Sequence, residues 1–128
     1  MQTNLENSFI VKNELKDENL ILNLTFEFSS LIIDYTDYLD SLRKYTLAKQ
    51  LIKSGTSIGA NSREAQNAES NNDFIHKFKV AAKEADETQY WLELCEFCYQ
   101  HKEAKILLKK LESISRVINK IITTSKSK

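Results

Sequence analysis

From residue 24 onward, apolar positions return at alternating intervals of four and three. Leu24, Phe28, Leu31, Tyr35, Tyr38 and Leu42 form one such series. Leu47, Leu51, Ser54, Ile58, Asn61, Ala65 and Ala68 form a second, with small and polar residues in some of the same places. A third runs Phe74, Phe78, Ala81, Ala85, Thr88, Leu92, Cys95 and Tyr99, and a fourth Ala104, Leu107, Leu111, Ile114, Ile118 and Ile121. This interval keeps residues on one side of a helix, so the pattern predicts four helices whose seams meet at shallow angles. The breaks near Arg43–Tyr45, Glu69–Asn72 and Gln100–Lys102 are only a few residues long. Short connections force neighbouring helices to run in opposite directions. The predicted fold is all-α, an antiparallel up-down-up-down four-helix bundle over residues 16–124. Residues 1–15 carry no clear period and read as an arm, extended or disordered, and residues 125–128 read as a basic tail. Ser70 with Asp73 three residues on has the spacing of a capping box, opening the third helix.

Composition sharpens this picture in one respect. The chain has no proline and two glycines, too little turn punctuation for a parallel sheet or a β-sandwich. Its 128 residues are enough for one domain with a real core, without disulfides or a structural metal. No apolar run approaches a membrane span and the acidic start lacks a signal-peptide layout, so the expected compartment is the cytoplasm.

Both glycines, Gly55 and Gly59, fall inside the second predicted helix, where each costs about 1 kcal/mol relative to Ala. Close approach of another helix is the usual compensation. With Ala48 and Ile52 they form a stripe beside the seam, open to a helix of the same subunit or of a neighbour. On the third helix Tyr90, Leu94 and Phe97 fall opposite the seam, with Trp91 and Cys98 adjoining. An aromatic patch so placed marks an interface unless something covers it. Self-association and coverage by the N-terminal arm are the two readings, and the first is favoured. Gly55, Gly59, Tyr90, Trp91, Leu94 and Phe97 are therefore the candidate oligomer-interface residues.

Candidate chemistry is thin. Cys95, Cys98 and His101 share a spacing of three, but a zinc site lacks a fourth ligand, because His76 lies near the opposite end of the helix. Thiols near a helix C-terminus are not activated by its dipole, so both cysteines are expected to be buried and structural. Asp73 and His76 have half of a di-iron helix spacing, without a second copy. Glu84, Glu87, Glu93 and Glu96 lie among lysines as an ion-paired surface would. There is no phosphate-binding glycine loop, nucleophile elbow or Ser/His/Asp set. No catalytic residue, metal or cofactor is expected, and the chain is not expected to be an enzyme.

Charge is zero overall but unevenly placed. Residues 1–40 hold two lysines against eight carboxylates, whereas residues 100–128 hold eight Lys and Arg against two Glu. Lys105, Lys109, Lys110, Arg116 and Lys120 on the fourth helix, with Lys102 before them, are the candidate nucleic-acid-binding residues. The alternative is that they complement the acidic first helix, within a subunit or across subunits.

The run Gln50 to Cys95 resembles the bacterial family of 23S rRNA intervening-sequence proteins. The residues that carry the likeness are Gln50-Leu51, Ser57 to Asn61, Glu64-Ala65, Asp73 to Ile75 with Lys77, and Lys83 to Leu92. The likeness is close over the second and third helices and a matter of pattern over the flanking two. It implies an antiparallel four-helix bundle assembled as a homopentameric ring, with no established catalysis. A related accessory protein of diversity-generating retroelements binds nucleic acid and a reverse transcriptase, so the resemblance points to RNA, DNA or a protein as partner, and to no membrane. It also makes Asn61, Glu64, Glu84 and Glu87 recurrent polar positions, expected to be structural. Ser62 stands where an apolar residue is common, which predicts looser packing of that turn. Two functions of different class follow: a nucleic-acid-associated accessory protein using the basic fourth helix, or an oligomeric scaffold for another protein, its charge asymmetry used for assembly.

Overall fold

The computed structural model describes residues 17–128, and the arm expected over residues 1–15 lies outside the described residues. Four helices account for nearly all of them: α1 (Asp17–Ser41), α2 (Tyr45–Ala65), α3 (Asn71–Tyr99) and α4 (Lys102–Lys126). No strand occurs among the described residues. The fourth helix runs to Lys126, two residues into the segment read as a basic tail. Each helix packs on two others, α1 on α2 and α4, and α3 on α2 and α4, which makes a four-helix bundle around one core.

The core is built from the seams, and two of the four lie where the spacing put them. On α4 all six expected residues are buried, with Ser125 extending the line. On α3, Phe78, Ala81, Ala85, Thr88, Leu92 and Cys95 are buried, with Phe74 and Tyr99 packed against the core at either end. The first seam is rotated. Ile21, Thr25, Phe28, Ile32, Tyr35, Thr36 and Leu39 face inward, while Tyr38 and Leu42 are 42% and 39% exposed. Helix α1 is apolar around most of its circumference, so two phases of the same spacing compete. The winning one turns Thr25 and Ile32 onto the α2 glycines. The buried Thr25 hydroxyl is satisfied within its own helix, donating to Ile21 O at 2.7 Å.

The seam of α2 is also shifted. Ala48, Leu51, Ser54, Gly55, Ile58, Ser62 and Ala65 are buried, Leu47 and Asn61 are half-buried, and Ala68 lies beyond the helix. Asn61 donates to Ser57 O of its own helix at 2.9 Å rather than pairing across the bundle. Ser62, expected to loosen its turn, is fully buried and donates to Ile58 O at 2.8 Å.

The glycines face α1 of the same chain. A Cβ on Gly55 would meet three Ile32 side-chain carbons at 3.0–3.2 Å, and one on Gly59 would meet Thr25 Cβ at 3.2 Å. Gly55 is therefore enclosed within the subunit and has no surface to offer a neighbour, while Gly59 keeps partial exposure. On the other flank of α2, Ser54 faces Thr88 as the small-against-small register predicts, with the two hydroxyl oxygens 2.9 Å apart in a hydrogen bond in the core.

Local signals end the helices. Asp73 N–H donates to the Ser70 hydroxyl at 3.0 Å, the forward half of a capping box. The return bond reaches back to Glu69 N–H at 3.2 Å, one residue before the cap. At the opposite turns Arg43 (φ 64°) and Gln100 (φ 55°) take the left-handed conformation that usually falls to glycine at a helix C-terminus.

Candidate nucleic-acid interface

Lys102, Lys105, Lys109, Arg116 and Lys120 recur at helical spacing and are all exposed, opposite the buried Leu107–Leu111–Ile114–Ile118 seam. They make one outward stripe spanning eighteen residue steps, about 27 Å at the α-helical rise. Two ion pairs along it are loose. Lys105 Nζ lies 3.7 Å from Glu96 of α3, and Arg116 lies 3.8 Å from Glu112 one turn back. Both cations remain more than two-thirds exposed, so water screens these contacts and they contribute little. Lys110 is turned about a quarter of the circumference away, towards α1, where its Nζ is 3.9 Å from Glu27. The stripe thus gathers four of the five candidate cations and leaves Lys110 to bridge the acidic and basic helices.

The other polar candidates serve the bundle. Glu64 pairs with Lys77 at 3.3 Å, joining α2 to α3. Glu87 accepts from Trp91 Nε1 at 3.1 Å, which holds the half-buried indole against the core rim. Glu84 lends its backbone carbonyl to the Thr88 hydroxyl at 2.7 Å. Of the aromatic patch, Tyr90 and Phe97 are exposed and Trp91 and Leu94 half-buried. The covering role considered for the N-terminal arm falls outside the described residues.

The Cys95–Cys98–His101 series comes apart. Cys95 is buried, but Cys98 is exposed, contrary to expectation, because it follows a second step of three in succession (Leu92, Cys95, Cys98), which drifts off the core face while the seam continues by four to Tyr99. His101 lies past the end of α3 as the N-cap of α4 and turns to α1, with Nδ1 2.7 Å from Tyr35 Oη. Its ring stands between Tyr38 and Tyr99, at 5.2 and 5.3 Å between centroids, and Lys44 Nζ lies 4.7 Å above Tyr99. This cluster fastens the α1–α2 connection to the α3–α4 connection. Periodicity carries no sign of it, since Tyr35 and His101 are 66 residues apart. Burial raises the Tyr35 phenol above its ordinary value, and a hydrogen bond with Cys95 adds to the effect. Burial likewise raises the Cys95 thiol, against a smaller opposing effect of Tyr35. A thiol held protonated is a poor nucleophile and metal ligand. Among the described residues no three His, Cys, Asp or Glu side chains converge as a metal site would need.

Geometry therefore defines the class first: a four-helix bundle with a built core, an aromatic clasp, and a cationic stripe as its most distinctive exposed feature. Residues 17–120 match the family model for the 23S rRNA-intervening sequence protein, and the chain belongs to that family. Among solved structures it is similar to a protein of unknown function from the S23 ribosomal protein family of Bacteroides thetaiotaomicron VPI-5482. The two share 35% identity over 84% of this chain and 99% of that one, with a TM-score of 0.81. No curated protein matches. No helix among the described residues is long and apolar enough to cross a membrane.

Proposed function

We propose that this chain is a non-enzymatic, cytoplasmic, oligomeric accessory protein that associates with RNA or DNA through the α4 stripe. The outward line of Lys102, Lys105, Lys109, Arg116 and Lys120 carries the reading. Five cations along one helix match the phosphate-contacting pattern that gives salt-dependent, sequence-independent binding. The loose, hydrated ion pairs of Lys105 and Arg116 leave those groups available. The subunit is read as an antiparallel up-down-up-down bundle, supported by two contacts at each packed pair of helices: Thr25–Gly59 and Ile32–Gly55, Ser54–Thr88 and Glu64–Lys77, Asn71–Ser125 and Glu96–Lys105, Glu27–Lys110 and Tyr35–His101, in each of which rising numbers meet falling ones. Assembly as a homopentamer rests on family resemblance, and repetition of a modest stripe over several subunits would supply avidity.

Glu27–Lys110 favours the second reading, an oligomeric scaffold for another protein whose opposite charges serve assembly. That pair is exposed and at the outer limit of ion-pair distance, so the first reading stands ahead. Fluorescence anisotropy with a structured RNA and a matched DNA, at low and at physiological salt, separates them. Affinity falling steeply with salt supports the stripe. No binding at low salt removes the nucleic-acid reading for those ligands and leaves the scaffold.

A further inference from the structure

Two exposed apolar surfaces are used neither by the core nor by the stripe. One is a ridge on α3, where Tyr90 and Phe97 stand 56% and 81% exposed with half-buried Leu94 between them. The other is concave, a groove of about 390 Å³ between α1 and α2 beside Gly59, with Leu22 and Ser29 in its lining. Phe26 stands 65% exposed at the groove, and Ile33 and Ile52, next along the same sides of α1 and α2, are 44% and 36% exposed. The missing side chain at Gly59 and the small Ser29 and Ala60 keep the groove open.

We infer that the Tyr90–Phe97 ridge of one copy seats in the α1–α2 groove of a second copy, a head-to-tail contact of the chain with itself. The inference rests on the oligomeric reading above and names the two faces that meet. Their shapes are unlike, one convex and one concave, as a heterologous contact needs. Their charges are also complementary. Asp86 and Glu93 flank Tyr90, exposed and without an ion pair among the described residues. At the groove Arg63 lies 6.0 Å from the Phe26 ring and meets no carboxylate among the described residues, while the lining carboxylate, Glu64, is turned to Lys77 at 3.3 Å; Lys49 stands beyond the groove on the same side of α2.

Placement then fixes which way a ring would face. Ridge and groove lie on either side of α2, and both point away from α4. Repeating the contact turns each copy about an axis on the α2 side. Helix α2 would line the inside of the ring, with exposed Lys53 towards the axis, and α4 would form the outer rim. The cationic stripe is thus left uncovered by assembly.

Light scattering after size exclusion, on the full chain and on Phe97→Asp and Phe26→Asp variants, tests the contact. Both positions are exposed, and far-UV circular dichroism verifies that helicity is kept; Tyr90→Asp and Ile33→Asp serve as second variants of each face. The wild type should run as a closed oligomer and each variant as a monomer, with association weakened at least about 30-fold, as for a central aromatic anchor. Mixed in equal amounts, the two variants should form a one-to-one dimer, because each keeps the face the other lacks. If both groove variants keep the wild-type size, or if the mixture stays monomeric, the contact is overturned. A monomeric wild type at high concentration would instead remove the oligomeric reading itself, and this contact with it.

Discussion

Gly55 and Gly59 stand four residues apart in one helix, yet alanine should affect them differently. A methyl at Gly55 enters a closed space against Ile32, itself fully buried. The gain in helix propensity is about 1 kcal/mol, and overpacking a closed core typically costs 1–3 kcal/mol. Gly55→Ala should therefore lower stability in urea by about 1 kcal/mol, whereas Gly59→Ala, beside the open groove, should lie within about 0.5 kcal/mol of wild type. Equal destabilisation by both would show that the groove wall is as tight as the core. Tyr35 carries a second residue-scale prediction. Its phenol is raised above its ordinary value of 10.0 and the Cys95 thiol above 9.0, so the unfolded chain releases these protons first as pH rises. Stability from both groups is whole below about pH 9 and lost above it. In thermal melts from pH 7 to 11, Tyr35→Phe should start lower, having lost the bond to His101, and fall less steeply above pH 10. Parallel curves would mean that Tyr35 titrates alike in the folded and unfolded chain.

At the scale of the element, α3 depends on its two ends. Ser70→Ala removes the N-cap acceptor and should cost about 1 kcal/mol in chemical denaturation. Gln100→Gly relieves a left-handed non-glycine residue and should add 0.5 kcal/mol or more, on the order of the usual αL penalty. A loss at Gln100 would show that its side chain contributes more than its backbone strain costs. The same scale explains how far the sequence could be read. Helix α4 sets large apolar residues against charged ones, so one phase of its spacing is available, and on α3 the unbroken line from Phe74 to Tyr99 outruns the shorter Tyr90–Phe97 patch. Helix α1 carries Leu22, Phe26, Ile33 and Tyr38 outside its seam as well as Phe28 and Ile32 within it, and hydropathy alone does not choose. Helix α2 marks its seam with Ser, Gly and Ala, residues of little contrast, so spacing alone favours Leu47 and Asn61 over Ala48 and Ser62. The shape of Gly55 against Ile32 made that choice, and shape is not a periodic signal. The exposed Phe26 and Ile33 carry no periodic signal for the same reason: they form a surface only once α1 takes its phase, whereas Ile52 is legible in the stripe beside the α2 seam.

At the scale of the molecule, neutrality conceals a division of labour. The bundle places one cationic line outward on α4 and turns Lys110 towards Glu27 of the acidic α1. That difference was legible in principle, since adjacent positions on a helix lie about 100° apart, but its meaning needed the position of Glu27. It also supplies the most direct test of the nucleic-acid account. Lys109→Glu and Lys110→Glu change the net charge equally, yet only the first lies on the stripe. The measurement is RNA affinity against salt for the wild type and both variants. Lys109→Glu should weaken binding and flatten the salt dependence by about one ion or more, while Lys110→Glu should have the smaller effect on both. Equal effects from the two reversals, or none from either, would contradict the nucleic-acid reading.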